Sequence, residues 1–432
     1  MTERRPVLRA GLMALAVLGA TLLAGCSSSP DRSAPTLAQV RELLARHGTA
    51  VLHRDRSAFA ADLDPAEQAA GFRVRQQQMF ANLARVPLGG WSYHLEGRTD
   101  SSGAEAAAGR KFDTGALIAR VSLRYALRGV DPIPTQHDLW LTFVRHDGRV
   151  VLAADDSLAQ AGGRSWQGPW DFGPLAVRRG AHSLVLFHPS AAGTADVAST
   201  AAAVEAIVDA AVPAVSAVWG QDWTQDVAVL VPASQPELLA EAGESADAAL
   251  TVAAVAVSDG QDPVTGTVYG QRLIVNSDAL AQLSDIGRQI VIRHEVTHIA
   301  SAAATSAASP TWLIEGFADY VGNLGSGQSA ATVAAELTAD VRHGRVPAAL
   351  PTPDRFSTPG QSAQAYEGSW LACRLIAERA GQDGLVRFYK VVGASPESSD
   401  DAVATGLREV LHESTAEFVA QWRDYLTAQL GR

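Results

Sequence analysis

The chain has 432 residues, 47% of them hydrophobic and only 19% charged, with a formal net charge of -11. That length exceeds what one hydrophobic core serves, so two domains are expected, and the apolar share excludes a mainly disordered protein. The acidic balance, with no Lys/Arg run beyond the first few residues, argues against a nucleic-acid partner.

Arg4, Arg5 and Arg9 precede an apolar run from Ala10 to Ala24, too short to span a membrane comfortably, which is the pattern of an export signal. The run ends in Leu23-Ala24-Gly25-Cys26, which resembles the bacterial lipobox. That resemblance implies cleavage before Cys26 and a lipid on its thiol. Residues 1–26 therefore read as a lipoprotein signal peptide and 27–35 as a polar tether, with the chain anchored in the cell membrane on its extracytoplasmic face. Cys373 then stands alone in the mature chain, within the apolar Trp370-Leu371-Ala372-Cys373, and is expected to be a small buried hydrophobe.

From Thr36 to Gly48 the apolar residues Leu37, Val40, Leu43 and Leu44 recur at helical spacing, and helical sequence continues towards Arg85. Extended segments follow at Trp91 to Leu95, Leu117 to Leu127, Leu139 to Val144 and Val150 to Ala153, the last two joined by the hairpin signal Asp147-Gly148. Helices followed by an antiparallel sheet predict a small α+β domain over 36–165, loosely similar to the cone-shaped nuclear-transport-factor-like fold. Gly, Trp and Arg then dominate without a period, including Trp166 and Trp170, so 166–181 is expected as a linker.

The remainder, 182–432, opens with a strand at Ser183 to Phe187, a long alanine-rich helix from about Thr194 to Val218 and a strand at Asp226 to Val231. Thr267 to Asn276 alternates like a strand, and an edge strand there could pair with an extended peptide. After Ser284, a plausible N-cap, an apolar helical pattern carries His294-Glu295-Val296-Thr297-His298. Two histidines four apart share a helix face and can hold one zinc ion, while Glu295 faces a water on that metal without ligating it. A hydrolytic zinc needs a third protein ligand from another element. Glu315 suits that role, on a new helix for which Ser309 is the expected cap and Pro310 the first helical residue. Gly316 is expected to bring that helix close to the zinc helix, and Asp319, one turn on, to accept a ring N–H of a ligand histidine.

H-E-x-x-H followed by Trp312-Leu313-Ile314-Glu315-Gly316-Phe317-Ala318 resembles the pattern of gluzincin zinc metallopeptidases, particularly their aminopeptidase-type and peptidase-MA-like branches. The resemblance implies a mostly helical zincin-like domain with a small sheet, in which His294, His298 and Glu315 bind zinc and Glu295 is the catalytic base. Ala365-Tyr366-Glu367-Gly368, leading into a helix from Ser369 to Arg379 with Gly381 as its C-cap, is similar to the family's tyrosine segment. On that basis Tyr366 would donate to the oxyanion of the tetrahedral intermediate. The family's Gly-x-Met-Glu-Asn motif, whose glutamate binds a free substrate amine, has no counterpart here.

The function expected from these residues is peptide-bond hydrolysis outside the cytoplasm, by a zinc-activated water with Glu295 as general base. The alternative is a non-catalytic envelope lipoprotein that keeps a zincin scaffold for partner binding. The presence together of three ligands, a base and an oxyanion donor favours the enzyme.

Overall fold

The computed structural model describes residues 32–99, 101–189 and 197–431, so Cys26 and the rest of the signal segment lie outside the described residues. Thr36 starts the first helix, α1 (Leu37–Leu52), with a capping box: its hydroxyl accepts the Gln39 amide and Gln39 accepts the Thr36 amide. Of the apolar stripe read from the sequence, Val40, Leu43 and Leu44 form its inner face at 0–1% exposure, whereas Leu37 at the helix start is exposed. Helices α2 (Arg56–Ala61) and α3 (Ala70–Asn82) follow, then strand β1 (Leu88–Arg98), helix α4 (Ser102–Phe112), and strands β2 (Leu117–Leu127), β3 (Thr135–His146) and β4 (Arg149–Ala154).

The four strands form an antiparallel sheet in chain order. Asp147 and Gly148 close the last hairpin at φ 48° and 79°, the positive values that a primed two-residue turn requires. Leu63, Phe72 and Phe80 pack on one face of the sheet and α4 covers the other, over Ile118, Val144 and Val151. Helix α4 escapes the sequence reading because Ser102–Phe112 is rich in alanine and glycine and carries no apolar stripe.

The second sheet comprises β5 (Ala176–Arg179), β6 (Ser183–Phe187), β7 (Val227–Val231), β8 (Ala254–Val257) and, after the two-residue strands β9 (Gly260–Gln261) and β10 (Val268–Tyr269), β11 (Arg272–Val275). Its order is β5-β6-β7-β11-β8; β6, β7 and β11 run parallel, and the two edge strands antiparallel. Helix α5 (Val197–Trp219) connects β6 to β7; its predicted start at Thr194 lies outside the described residues. By length and composition α5 is apolar enough to cross a membrane. Its Val204, Val208, Val212 and Val215 are nevertheless at 0% exposure against the sheet and the helices beyond, which marks a core helix.

Strands β6, β7 and β11 are apolar at nearly every position because both their faces are covered. Val185, Val229 and Leu273 point towards α5, whereas Leu186, Leu230 and Ile274 join the core of the first sheet and its helices. The stretch expected as a linker contributes to that shared core: Trp170 is 2% exposed and packs on Trp91 and Tyr125, and β5 lies within it.

Short helices α6 (Gln235–Ala242), α7 (Ala246–Ala249) and α8 (Ser277–Ala281) link these strands. The rest is helical: α9 (Asp285–Ser301), α10 (Thr311–Asn323), α11 (Ala330–Val333), α12 (Ala335–Arg342), α13 (Pro353–Ser357), α14 (Ser362–Gly393), α15 (Ser399–Val410) and α16 (Thr415–Leu430). The architecture is thus mixed α+β, helical around two principal sheets.

Four local expectations are corrected. The strand ending at Asn276 is not an edge: β11 is flanked by β7 and β8, and β8 is the edge. The helix carrying Glu315 starts at Thr311 with Pro310 in the cap position, and Ser309 receives a bond from the Ser306 amide instead of capping. Gly316 faces α14, where a Cβ would run into the Ser369 carbonyl and lie 3.0 Å from Cys373 Sγ. The close approach to α9 is made by Gly322, whose Cβ would meet the Ile290 carbonyl at 3.0 Å. Finally, Tyr366 lies inside α14, which begins at Ser362 and breaks at Gly381 (φ 79°) before continuing. Cys373, on that helix, is fully buried.

Candidate metal centre

Helix α9 begins where Ser284 accepts the Gly287 amide at 3.1 Å. Ile292, Val296 and Ile299 fix its inner face in the core, which turns His294 and His298 outward together into a cleft. Helix α10 is held by Trp312, Leu313, Phe317 and Val321, and therefore presents Glu315 and Asp319, also four apart, to the same place.

There three donor atoms converge. His294 Nε2 and His298 Nε2 are 2.9 Å apart, and Glu315 Oε2 lies 3.4 Å from the first and 3.5 Å from the second. A point about 2 Å from all three lies close to their plane, and zinc bonds to imidazole nitrogen and carboxylate oxygen at roughly 2.0–2.2 Å. Among the described residues this is the group of three or more such donors that converges closely enough for a metal ion. Asp319 Oδ1 accepts from His294 Nδ1 at 2.8 Å, which directs Nε2 towards Glu315.

Electrostatics fit a cation as well. Burial opposes charge on Glu315, yet His298 and His294 hold its carboxyl well below the usual range. Burial likewise opposes protonation of His294, but Asp319, Glu315 and Glu295 together raise it well above the ordinary imidazole value. Three carboxylates around two imidazoles form an anionic, partly dehydrated pocket, a setting that a divalent ion neutralises.

Glu295 is 9% exposed and lines the same cleft. Its Oε2 accepts the Ala256 amide of edge strand β8 at 2.7 Å. Burial raises its carboxyl above the usual range, with His294, His298 and the Ala256 amide partly offsetting the rise. Tyr366 lines the cleft opposite, its ring edge-on to Phe356 at 5.1 Å and 82°. Burial and the carboxylates Glu315, Asp319 and Glu295 keep its phenol protonated far above neutrality, so its O–H is there to donate.

The cleft has a volume of about 1350 Å³, and its long wall is formed by β8 and the following residues to Gln261. All six residues singled out for this site from the sequence thus border one cleft. Sequence reading missed the Ala256 amide and the β8 wall, since Ala254–Val257 is a short Ala/Val run whose role depends on which strand lies beside it.

No protein-family model matches the chain, and no curated protein is significantly similar to it. Solved structures superpose on it loosely. A variant of an M1 zinc metallopeptidase from Deinococcus radiodurans, bound to the substrate Tyr-Ser-Ala, is 17% identical, with a TM-score of 0.33 over 59% of this chain and 52% of that one. The metallopeptidase without that variation is 15% identical over 67% of this chain and 59% of its own, at a TM-score of 0.32. A two-domain M1 zinc metallopeptidase variant bound to L-arginine is 12% identical, covered to 90% by 72% of this chain, at a TM-score of 0.35. The chain spans about half the length of the first of these. Superpositions this loose do not bear on the activity of the present chain.

Proposed function

We propose that the chain is a zinc-dependent peptidase of the gluzincin kind, acting outside the cytoplasm and anchored to the membrane by a lipid on Cys26. The observation that carries the reading is the convergence of His294, His298 and Glu315, with Glu295 beside them, in a cleft walled by an edge strand. In this account the first three hold the metal, and zinc there supplies a Lewis acid for the scissile carbonyl and makes a water nucleophilic near neutral pH.

The chain's own residues do the remainder. Glu295, oriented by the Ala256 amide, takes the proton from the attacking water and passes it to the leaving nitrogen. Tyr366 donates to the oxyanion that develops on the former carbonyl. Asp319 fixes the tautomer and ring orientation of His294. An extended peptide can lie along β8, whose outer edge supplies main-chain hydrogen-bonding groups at the cleft. The division into a cone-shaped N-terminal domain over 36–165 and a peptidase domain over 182–432 belongs to the same reading.

The test is hydrolysis of a mixed peptide library by the full-length, zinc-loaded protein beside Glu295→Gln, with cleavage sites read by mass spectrometry. The reading predicts cleavage by wild type and a loss of roughly a thousandfold or more in the variant, with zinc retained. A zinc-loaded wild type that cleaves nothing, or a variant as active as wild type, would return the chain to the non-catalytic envelope lipoprotein.

A further inference from the structure

The first sheet and its helices enclose a second cavity, of about 540 Å³, remote in sequence from the metal centre and within the size range of small-ligand sites. Four aromatic side chains, Trp91, Tyr93, Trp166 and Trp170, form part of its wall. They are mutually braced. Trp170 packs edge-on to Trp91 at 5.1 Å and to Tyr125 at 5.0 Å, and Trp166 lies flat on His137 at 3.8 Å with 7° between the planes. Such a wall is set before any ligand arrives, so little ordering cost falls on binding.

Charge decides what the cavity suits. Its lining carries three carboxylates, Asp155, Asp156 and Asp171, against two guanidinium groups, Arg75 and Arg164. Arg75 is already bonded to Asp155 at 2.6 Å. Asp171 accepts the Gly168 amide at 2.9 Å. Although its carboxyl is open to the cavity, the surrounding protein keeps bulk water at a distance and lifts it to about 7, with Asp155 adding to the rise. His47, deeper in the cavity, is kept neutral by burial in spite of Asp62. An anion would meet these carboxylates, and a neutral apolar body would leave Asp171 to take up a proton, whereas a cation beside it favours the ionised carboxylate. A cation over electron-rich ring faces satisfies both the carboxylate and the aromatic walls.

We infer that this cavity is a binding site for an organic ammonium ion with an apolar body, held between the aromatic walls and Asp171. The site is independent of the metal centre and of the peptidase reading. The ammonium can belong to a free small molecule or to a lysine side chain, and two probes separate these sources.

Full-length protein is titrated calorimetrically with benzyltrimethylammonium, with an end-blocked lysine tripeptide, and with benzyl alcohol as the uncharged control. Saturable one-to-one binding of at least one cation, about tenfold or more tighter than the alcohol, is the expected result. Tighter binding of benzyltrimethylammonium assigns a free small cation, and tighter binding of the tripeptide a side chain. Asp171→Asn is expected to weaken the bound cation by about tenfold while leaving the thermal transition in place. Trp166→Phe, which keeps a ring over His137, is expected to weaken it less. Absence of saturable binding by both cations, an alcohol that binds equally well, or unchanged affinity in a folded Asp171→Asn protein overturns the inference.

Discussion

Asp319 Oδ1 stands 2.8 Å from His294 Nδ1, and the pair joins the helix that carries two of the proposed metal ligands to the helix that carries the third. The carboxylate both selects the imidazole tautomer and makes its Nε2 a better donor. Asp319→Ala is expected to weaken zinc binding by roughly 10–100-fold with the fold intact. Asp319→Asn, whose amide oxygen still accepts, should fall between the two. Competition titration with a chromophoric chelator measures this, and equal affinities in all three proteins would reduce Asp319 to a packing residue.

Tyr366→Phe removes one hydroxyl and keeps the ring against Phe356. For a donor that acts on charge developing in the transition state, kcat should drop by roughly 10²–10³-fold while KM changes little. Steady-state kinetics on a peptide found in the library screen gives both parameters. A kcat equal to wild type would show that the hydroxyl takes no part.

Arg272, on the inner strand β11, bonds to Asp131 of the first half of the chain at 2.6 and 2.9 Å, with both side chains almost wholly buried. Asp131→Ala leaves that guanidinium without its counter-charge and should cost about 3–5 kcal/mol of stability. Replacing both, Arg272→Met with Asp131→Leu, should recover part of the loss, because the two paired charges go together while the Leu127 amide and Asp259 each lose a partner. Urea denaturation reads the difference, and a double variant no more stable than the single one would contradict this account of the junction.

His137 is stacked on Trp166, and burial, with Arg272 nearby, depresses its pKa to about 3. The folded protein therefore resists a proton that the unfolded chain accepts near the ordinary imidazole value. Its neutral form imposes no penalty above about pH 6.5. As pH falls from there towards 3 stability is lost, by up to about 1.4 kcal/mol per unit, and the loss levels off below. His137→Gln should flatten that limb relative to wild type in urea melts between pH 6.5 and 4. Parallel limbs would mean that His137 is protonated in the folded state.

The candidate metal site was legible in the sequence because the spacing within each of its two helices is local. Four residues of helix fix His294 against His298 and Glu315 against Asp319, whatever the remainder of the chain does. Facing relationships that depend on helix rotation or strand neighbours were not legible. Nothing near Gly316 or Gly322 says which one meets α9, and the alternation read over Thr267 to Asn276 does not reveal that β8 shields β11 from the cleft. In the same way the loss of periodicity around Trp166 and Trp170 reads as a linker, because their partners Trp91, Tyr125 and His137 lie far off in the chain.

The central claim is tested most directly by the zinc content of the purified full-length protein beside that of Glu315→Ala, measured by atomic emission after exchange into metal-free buffer. The account predicts one zinc per chain in wild type, with the variant losing it or holding it far more weakly, since two imidazoles alone leave the site a ligand short. A wild type that takes up no zinc on reconstitution, or a variant that binds it as tightly, would contradict the three-ligand centre.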